Sequence, residues 1–194
     1  HTMAYSAYEC RIGCQDTKFI GNYAENCAEH LIQPTIRYGQ APLEELDVED
    51  RTNHGVVIAY NTGKGATTDI TTHAENIVIY GNTLIDVYSQ RAMSFRIYTK
   101  GCEVFGNTII CVTQKGDSAF QFQPGVEGVS VHSNVVTNFK NAFDGSFVEG
   151  YIGHNTYIDV DDIDRRRSVN GTRSGLHARG DYLSAFGGES AYRA

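Results

Sequence analysis

Apolar residues in this chain fall in short alternating runs, and six of these runs end on an asparagine in the same register. The asparagines are Asn22, Asn61, Asn82, Asn107, Asn134 and Asn155. Three positions before them stand Phe19, Ile58, Ile79, Val104, Val131 and Ile152, all apolar. Two positions after them stand Ala24, Gly63, Leu84, Ile109, Val136 and Tyr157, small or apolar each time. An alternation of period two predicts strands that bury one face.

The asparagines are 39, 21, 25, 27 and 21 residues apart. A unit of twenty-odd residues made of short strands predicts a solenoid of stacked coils. Helical repeats would place apolar residues at i, i+3 and i+4, and leucine-rich repeats would show their leucine pattern; neither is present. A parallel β-helix is left, each coil lying about 4.8 Å from the next. The asparagine is expected at a turn, because Asn tolerates left-handed backbone, and stacked amides are expected to bond along the axis.

Composition adds bounds. The 194 residues suffice for one domain with a continuous core, and twenty glycines with only three prolines suit many strands and turns. A formal charge of −7 argues against nucleic acid as partner, since phosphates call for a basic face. No apolar run reaches membrane-spanning length, so membrane insertion is not expected. His1-Thr2-Met3 reads as a tag remnant, ahead of a chain that is a piece of something longer. Five cysteines preclude complete internal pairing; Cys102 and Cys111 fall at apolar positions and read as buried thiols. Cys10, Cys14 and Cys27 match no zinc spacing, so neither a metal nor a cofactor is expected.

The expected organisation is a β-helix over 4–160, with an acidic loop at 40–53 carrying five carboxylates, and a capping or oligomerisation tail over 161–194. Gly63-Lys64-Gly65 lacks the spacing of a phosphate loop and reads as a glycine turn.

In a filled solenoid, ligands bind on the outside. A small residue followed by polar ones recurs as Ala28-Glu-His30, Ala92-Met-Ser94-Phe-Arg96, Ala119-Phe-Gln121-Phe-Gln123 and Ala142-Phe-Asp144. Stacking would line up His30, Ser94 with Arg96, Gln121 with Gln123, and Asp144, with tyrosines such as Tyr98 nearby. Such a strip suits a polysaccharide, although outward strand positions are polar in most sheets. Cleavage of a sugar chain by hydrolysis needs two carboxylates at a set separation, for which Asp144 and Glu149 are the candidates, one on a strand and one after the following turn. A lyase needs a base beside a cation that neutralises a uronate, and Arg91, Arg96, His132 and Tyr98 supply those types. Asp159, Asp161, Asp162 and Asp164 read as a solvated end bridged by salt pairs.

The segments Ile79-Tyr-Gly-Asn82-Thr-Leu, Val104-Phe-Gly-Asn107-Thr-Ile and Ile152-Gly-His-Asn155-Thr-Tyr carry a resemblance over roughly residues 17–160. The chain resembles the right-handed parallel β-helix superfamily built like pectate lyases, and within it bacteriophage tailspike and capsule-depolymerase β-helices. The resemblance implies an all-β, right-handed parallel β-helix of about six coils. It also implies a homotrimeric spike, extracellular or on a virion surface, that binds and often cleaves a bacterial polysaccharide. Tailspikes share no fixed catalytic motif, so the resemblance assigns no residue. The function expected is polysaccharide binding with depolymerisation as glycosidase or lyase. Epimerisation of a polyuronate, or a non-catalytic segment of a fibre or adhesin, are the other readings.

Overall fold

In a computed structural model of the chain, the described residues are 6–11, 13–26, 30–35, 53–65, 67–70, 74–87, 91–96 and 99–163. The acidic loop up to residue 52, Cys27, Tyr98 and everything from Asp164 onward lie outside them. The alternating runs become nineteen strands with no helix among the described residues, and every strand pairing is parallel. The protein is an all-β parallel solenoid of about five turns, slightly fewer than the six coils expected from the repeats.

Each coil has three faces. Face 1 stacks Lys18–Ile20, Val57–Ala59, Val78–Tyr80, Glu103–Phe105, Glu127–His132 and Val148–Gly153. Face 2 follows the asparagine and stacks Tyr23–Glu25, Thr62–Lys64, Thr83–Ile85 and Thr108–Ile110. Face 3 stacks Ser6–Arg11, His30–Thr35, Thr67–Ile70, Arg91–Phe95 and Gly116–Phe122. Val135–Gly145 and Thr156–Asp162 run through faces 2 and 3 without a break.

The apolar register read from the sequence is the packing register. Phe19, Ile58, Ile79, Val104, Val131 and Ile152 pair one above another on face 1. Ala24, Gly63, Leu84, Ile109, Val136 and Tyr157 do the same on face 2. At Gly63 a side chain would press on Leu31 and Leu84, at 3.0 and 3.3 Å, so glycine there leaves room for the core. Face 3 contributes the bulkiest packing. Phe95 stacks on Phe122 at 5.1 Å, Phe120 on Phe143 at 5.5 Å, and all four are buried. Each contributes about 2–3 kcal/mol of burial, and together they tie Arg91–Phe95, Gly116–Phe122 and Val135–Gly145 to one another. Cys102 and Cys111 are buried, as expected, and burial pushes both thiols up.

The asparagines form the expected ladder. Nδ2 of Asn22, Asn61, Asn82, Asn107 and Asn134 donates to Oδ1 of the next asparagine at 2.8–2.9 Å. Each of those Oδ1 atoms also takes the backbone N–H of the preceding asparagine, at 2.9–3.0 Å. Nδ2 reaches back as well, to the carbonyls of Phe19, Ile58, Ile79, Val104 and Val131. Buried amides would each cost desolvation if left bare; here they are bonded from coil to coil.

One expectation is corrected. The left-handed residue of this corner is the one before the asparagine: Gly21, Tyr60, Gly81, Gly106, Ser133 and His154 have φ between 53° and 68°. The asparagine keeps ordinary backbone, which aims its side chain inward along the axis. Two further left-handed columns lie five residues to either side. Asp16, Gly55, Asn76, Gly101, Gly128 and Glu149 open face 1, and Asn26, Gly65, Asp86, Asn138 and Asp159 close face 2. Gly65 makes the expected glycine turn of Gly-Lys-Gly. The coil at Cys111 departs from this rule. There Asp86 of the coil before caps the chain, its Oδ1 taking the N–H groups of Val112 and Thr113 at 2.7 and 2.8 Å. Those bonds hold the Asp86 carboxyl below the usual aspartate range against its burial.

Candidate functional site

The polar row expected on face 3 forms in part. Ser94, Gln121 and Asp144 are paired in register on successive coils, and the strand pairing continues the row to Asp69. Ser94 Oγ donates to Gln121 Oε1 at 3.2 Å, and Gln121 Nε2 donates to Asp144 Oδ2 at 3.2 Å. Ser94 is 9% exposed, whereas Gln121 and Asp144 are half-buried. Hydroxyl, amide and carboxylate thus form one relay along the axis, backed by Phe95, Phe120, Phe122 and Phe143. Its geometry is set by strand pairing every 4.8 Å or so, which also sets the repeat of anything lying along it.

Other candidates sit around the row or away from it. Arg96 and Gln123 follow directly after, half-buried; the Gln123 N–H bonds the Phe95 carbonyl at 2.9 Å. Arg91 stands three positions before Ser94, in register with the buried Ser118 and Asn141 and with Asp162. His30 pairs with Ser6 and Thr67, and Thr68 pairs with Met93, so His30 stands level with Ala92 and not with Ser94. A register shift lies between His30 and Ile32. Tyr98 lies outside the described residues.

The two candidate catalytic carboxylates are divided by a corner. Asp144 ends face 3, then come Gly145 with φ 88° and the buried Phe147, and Glu149 opens face 1 with φ 53°. Glu149 is exposed and makes no side-chain hydrogen bond or ion pair among the described residues. The candidate lyase set is divided too, since Arg91 and Arg96 belong to face 3 and His132 to face 1. Of the terminal aspartates, Asp161 and Asp159 hold Lys115 at 2.5 and 3.3 Å and raise its ammonium pKa, while Asp164 and the arginines after it lie outside the described residues.

Face 1 carries a feature the sequence reading passed over. Two positions before the asparagines stand Ile20, Ala59, Tyr80, Phe105, His132 and Gly153, all in register. Tyr80 stacks on Phe105 at 5.2 Å and Phe105 on His132 at 5.4 Å, with ring planes 4° apart in both pairs. His132 Nε2 lies 3.4 Å from Glu103 Oε1, and its Nδ1 lies 3.3 Å from Ser133 Oγ. Where the column has only Ala59 and Gly153, Tyr60 and Tyr151 extend it. Alignment on the asparagine would have exposed this column, had the positions between the inward ones been compared.

Compared with models of known families, with curated proteins and with solved structures, the chain matches none. Function is therefore read from the faces themselves.

Proposed function

We propose that the protein binds an extended bacterial surface or extracellular polysaccharide along face 3 and depolymerises it there. The observation that carries this reading is the Ser94–Gln121–Asp144 relay, a polar strip in axial register on a rigid aromatic backing. A polysaccharide repeats along its length and offers hydroxyls at intervals, so a ladder of alternating donors and acceptors is its natural complement. Asp144 ends the relay and is the first candidate for acid, base or nucleophile, with Glu149 as its partner once substrate lies across the corner. The resemblance to pectate-lyase-like β-helices, and among them to tailspikes and capsule depolymerases, extends this proposal to a right-handed winding, a homotrimeric spike and an extracellular or virion-surface location.

A second reading is a non-catalytic segment of a fibre or adhesin. The unbroken asparagine ladder supports it, because such a ladder makes a stiff rod whatever its faces do.

The test is incubation with capsule, lipopolysaccharide and uronate polysaccharides, followed by chromatography and ultraviolet absorbance of unsaturated sugar. Retention with shortened products that Asp144→Asn abolishes is the expected result. Ultraviolet-absorbing products would point to a lyase, with Arg96 as the cation that neutralises the uronate and His132 as the candidate base. Retention without shortening would leave recognition alone, and neither retention nor shortening would leave the rod.

A further inference from the structure

The aromatic column of face 1 contains two kinds of ring. Tyr80, Phe105 and His132 are stacked, so they cover one another's faces and present edges outward. Tyr60 is different. Its plane is turned 80° from that of Tyr80, and it lies across Gly81, where a Cβ would meet Tyr60 Cε1 and Cδ1 at 2.7 and 2.8 Å. Tyr151 stands at the other end, tilted 49° from His132, with its hydroxyl end laid over Gly153 of its own strand. Both rings rest on a glycine, and they remain 61% and 37% exposed. They are platforms, and a side chain on either glycine would lift them.

Gly81 and Gly153 are three strand steps apart along the axis, about 14 Å at the spacing of paired strands. A strip of that length and one ring wide falls far short of the roughly 800 Å² per partner of a stable protein interface. It fits a narrow ligand with a flat apolar side, whose polar groups point sideways. A pyranose chain has both, since its axial C–H groups pack on an aromatic face while its hydroxyls project from the ring edge. Between the platforms, the acidic and histidine side chains of this face among the described residues are Glu103, Glu127, Glu149 and His132, with His132 3.4 Å from Glu103 and Glu127 4.0 Å from Lys100. Glu103 would repel a uronate and accept a hydroxyl hydrogen, so the ligand is a neutral sugar chain.

We propose that face 1 is a second glycan-binding surface, on which a neutral pyranose chain lies along the axis with sugar rings stacked on Tyr60 and Tyr151 and hydroxyls bonded to Glu103. The inference rests on the reading of the protein as a polysaccharide binder and adds a site on a different face.

The test uses cellohexaose, mannohexaose and chitin hexaose as probes, with affinities from calorimetry and saturation transfer from tyrosine ring protons to sugar protons. For a hexaose bound by the whole protein, Tyr60→Ala with Tyr151→Ala should weaken binding at least tenfold and remove the saturation transfer. Tyr60→Phe with Tyr151→Phe should stay within about twofold, because the ring face and not the hydroxyl makes the contact. Gln121→Ala on face 3 should keep the saturation transfer. Binding lost in Gln121→Ala but unchanged in the double alanine variant would overturn the second site and leave the face 3 reading standing. No binding of any hexaose by the unmodified protein would overturn the second site, whereas the face 3 reading falls only if the capsule, lipopolysaccharide and uronate polysaccharides are not retained either.

Discussion

The asparagine corner and face 3 are built from the same coils by opposite rules. At the corner, left-handed residues recur five apart, the asparagine follows the second of them, and each amide bonds the next coil. On face 3 the strands are six, four, five and seven residues long in turn, and their register slips between His30 and Ile32. The corner tolerates no variation because each asparagine serves as donor and acceptor for its neighbours, so one missing amide strands groups on two coils. Face 3 is held by phenylalanine packing, which is non-directional and leaves outward positions free to differ. Rigidity and recognition are thereby assigned to different edges of one coil.

The comparison is broken most severely by removing a rung. Asn107→Ala takes away the acceptor of the Asn82 N–H and amide, and leaves the Ile79 carbonyl without its amide donor. A loss of about 3–5 kcal/mol is expected, as a fall in the denaturant midpoint. A loss under about 1 kcal/mol would mean that the ladder accompanies the fold without holding it.

A smaller effect is expected at the one coil that departs from the corner rule. Asp86→Ala removes the cap on Val112 and Thr113 and should cost about 1–2 kcal/mol near neutral pH. The folded protein holds the Asp86 carboxyl below its unfolded value near 4. Its stabilisation is therefore complete above that value and disappears as pH falls through the depressed one. The difference in melting temperature between Asp86→Ala and the unmodified protein should narrow from pH 6 towards pH 2. A difference that stays constant would assign the effect to shape and not to charge.

How far the sequence could be read follows the same division. The inward columns beginning at Phe19 and Ala24 were legible because burial repeats with a period and packing enforces it. The ladder was legible because one residue type recurs at one place. The left-handed position was misplaced by one residue, since Gly, Tyr, Ser and His share it and no single letter marks it. On face 3 the leading alanines, Ala92, Ala119 and Ala142, brought out Ser94, Gln121 and Asp144 correctly. The same alignment put His30 in their row, but strand pairing sets it level with Ala92, two positions short of Ser94. The turn between Asp144 and Glu149 was legible, but not that it is a corner with Phe147 buried in it that carries Glu149 to another face.

The smallest expected change in stability makes the most direct test. Gln121→Ala removes the middle of the face 3 relay while leaving the ladder and the phenylalanine stack in place. Its melting temperature and its retention on the polysaccharide bound by the unmodified protein would be measured on one sample. The account predicts a change in stability within about 0.5 kcal/mol together with loss of retention. Full retention with a lowered melting temperature would contradict it, and would make the relay part of the frame.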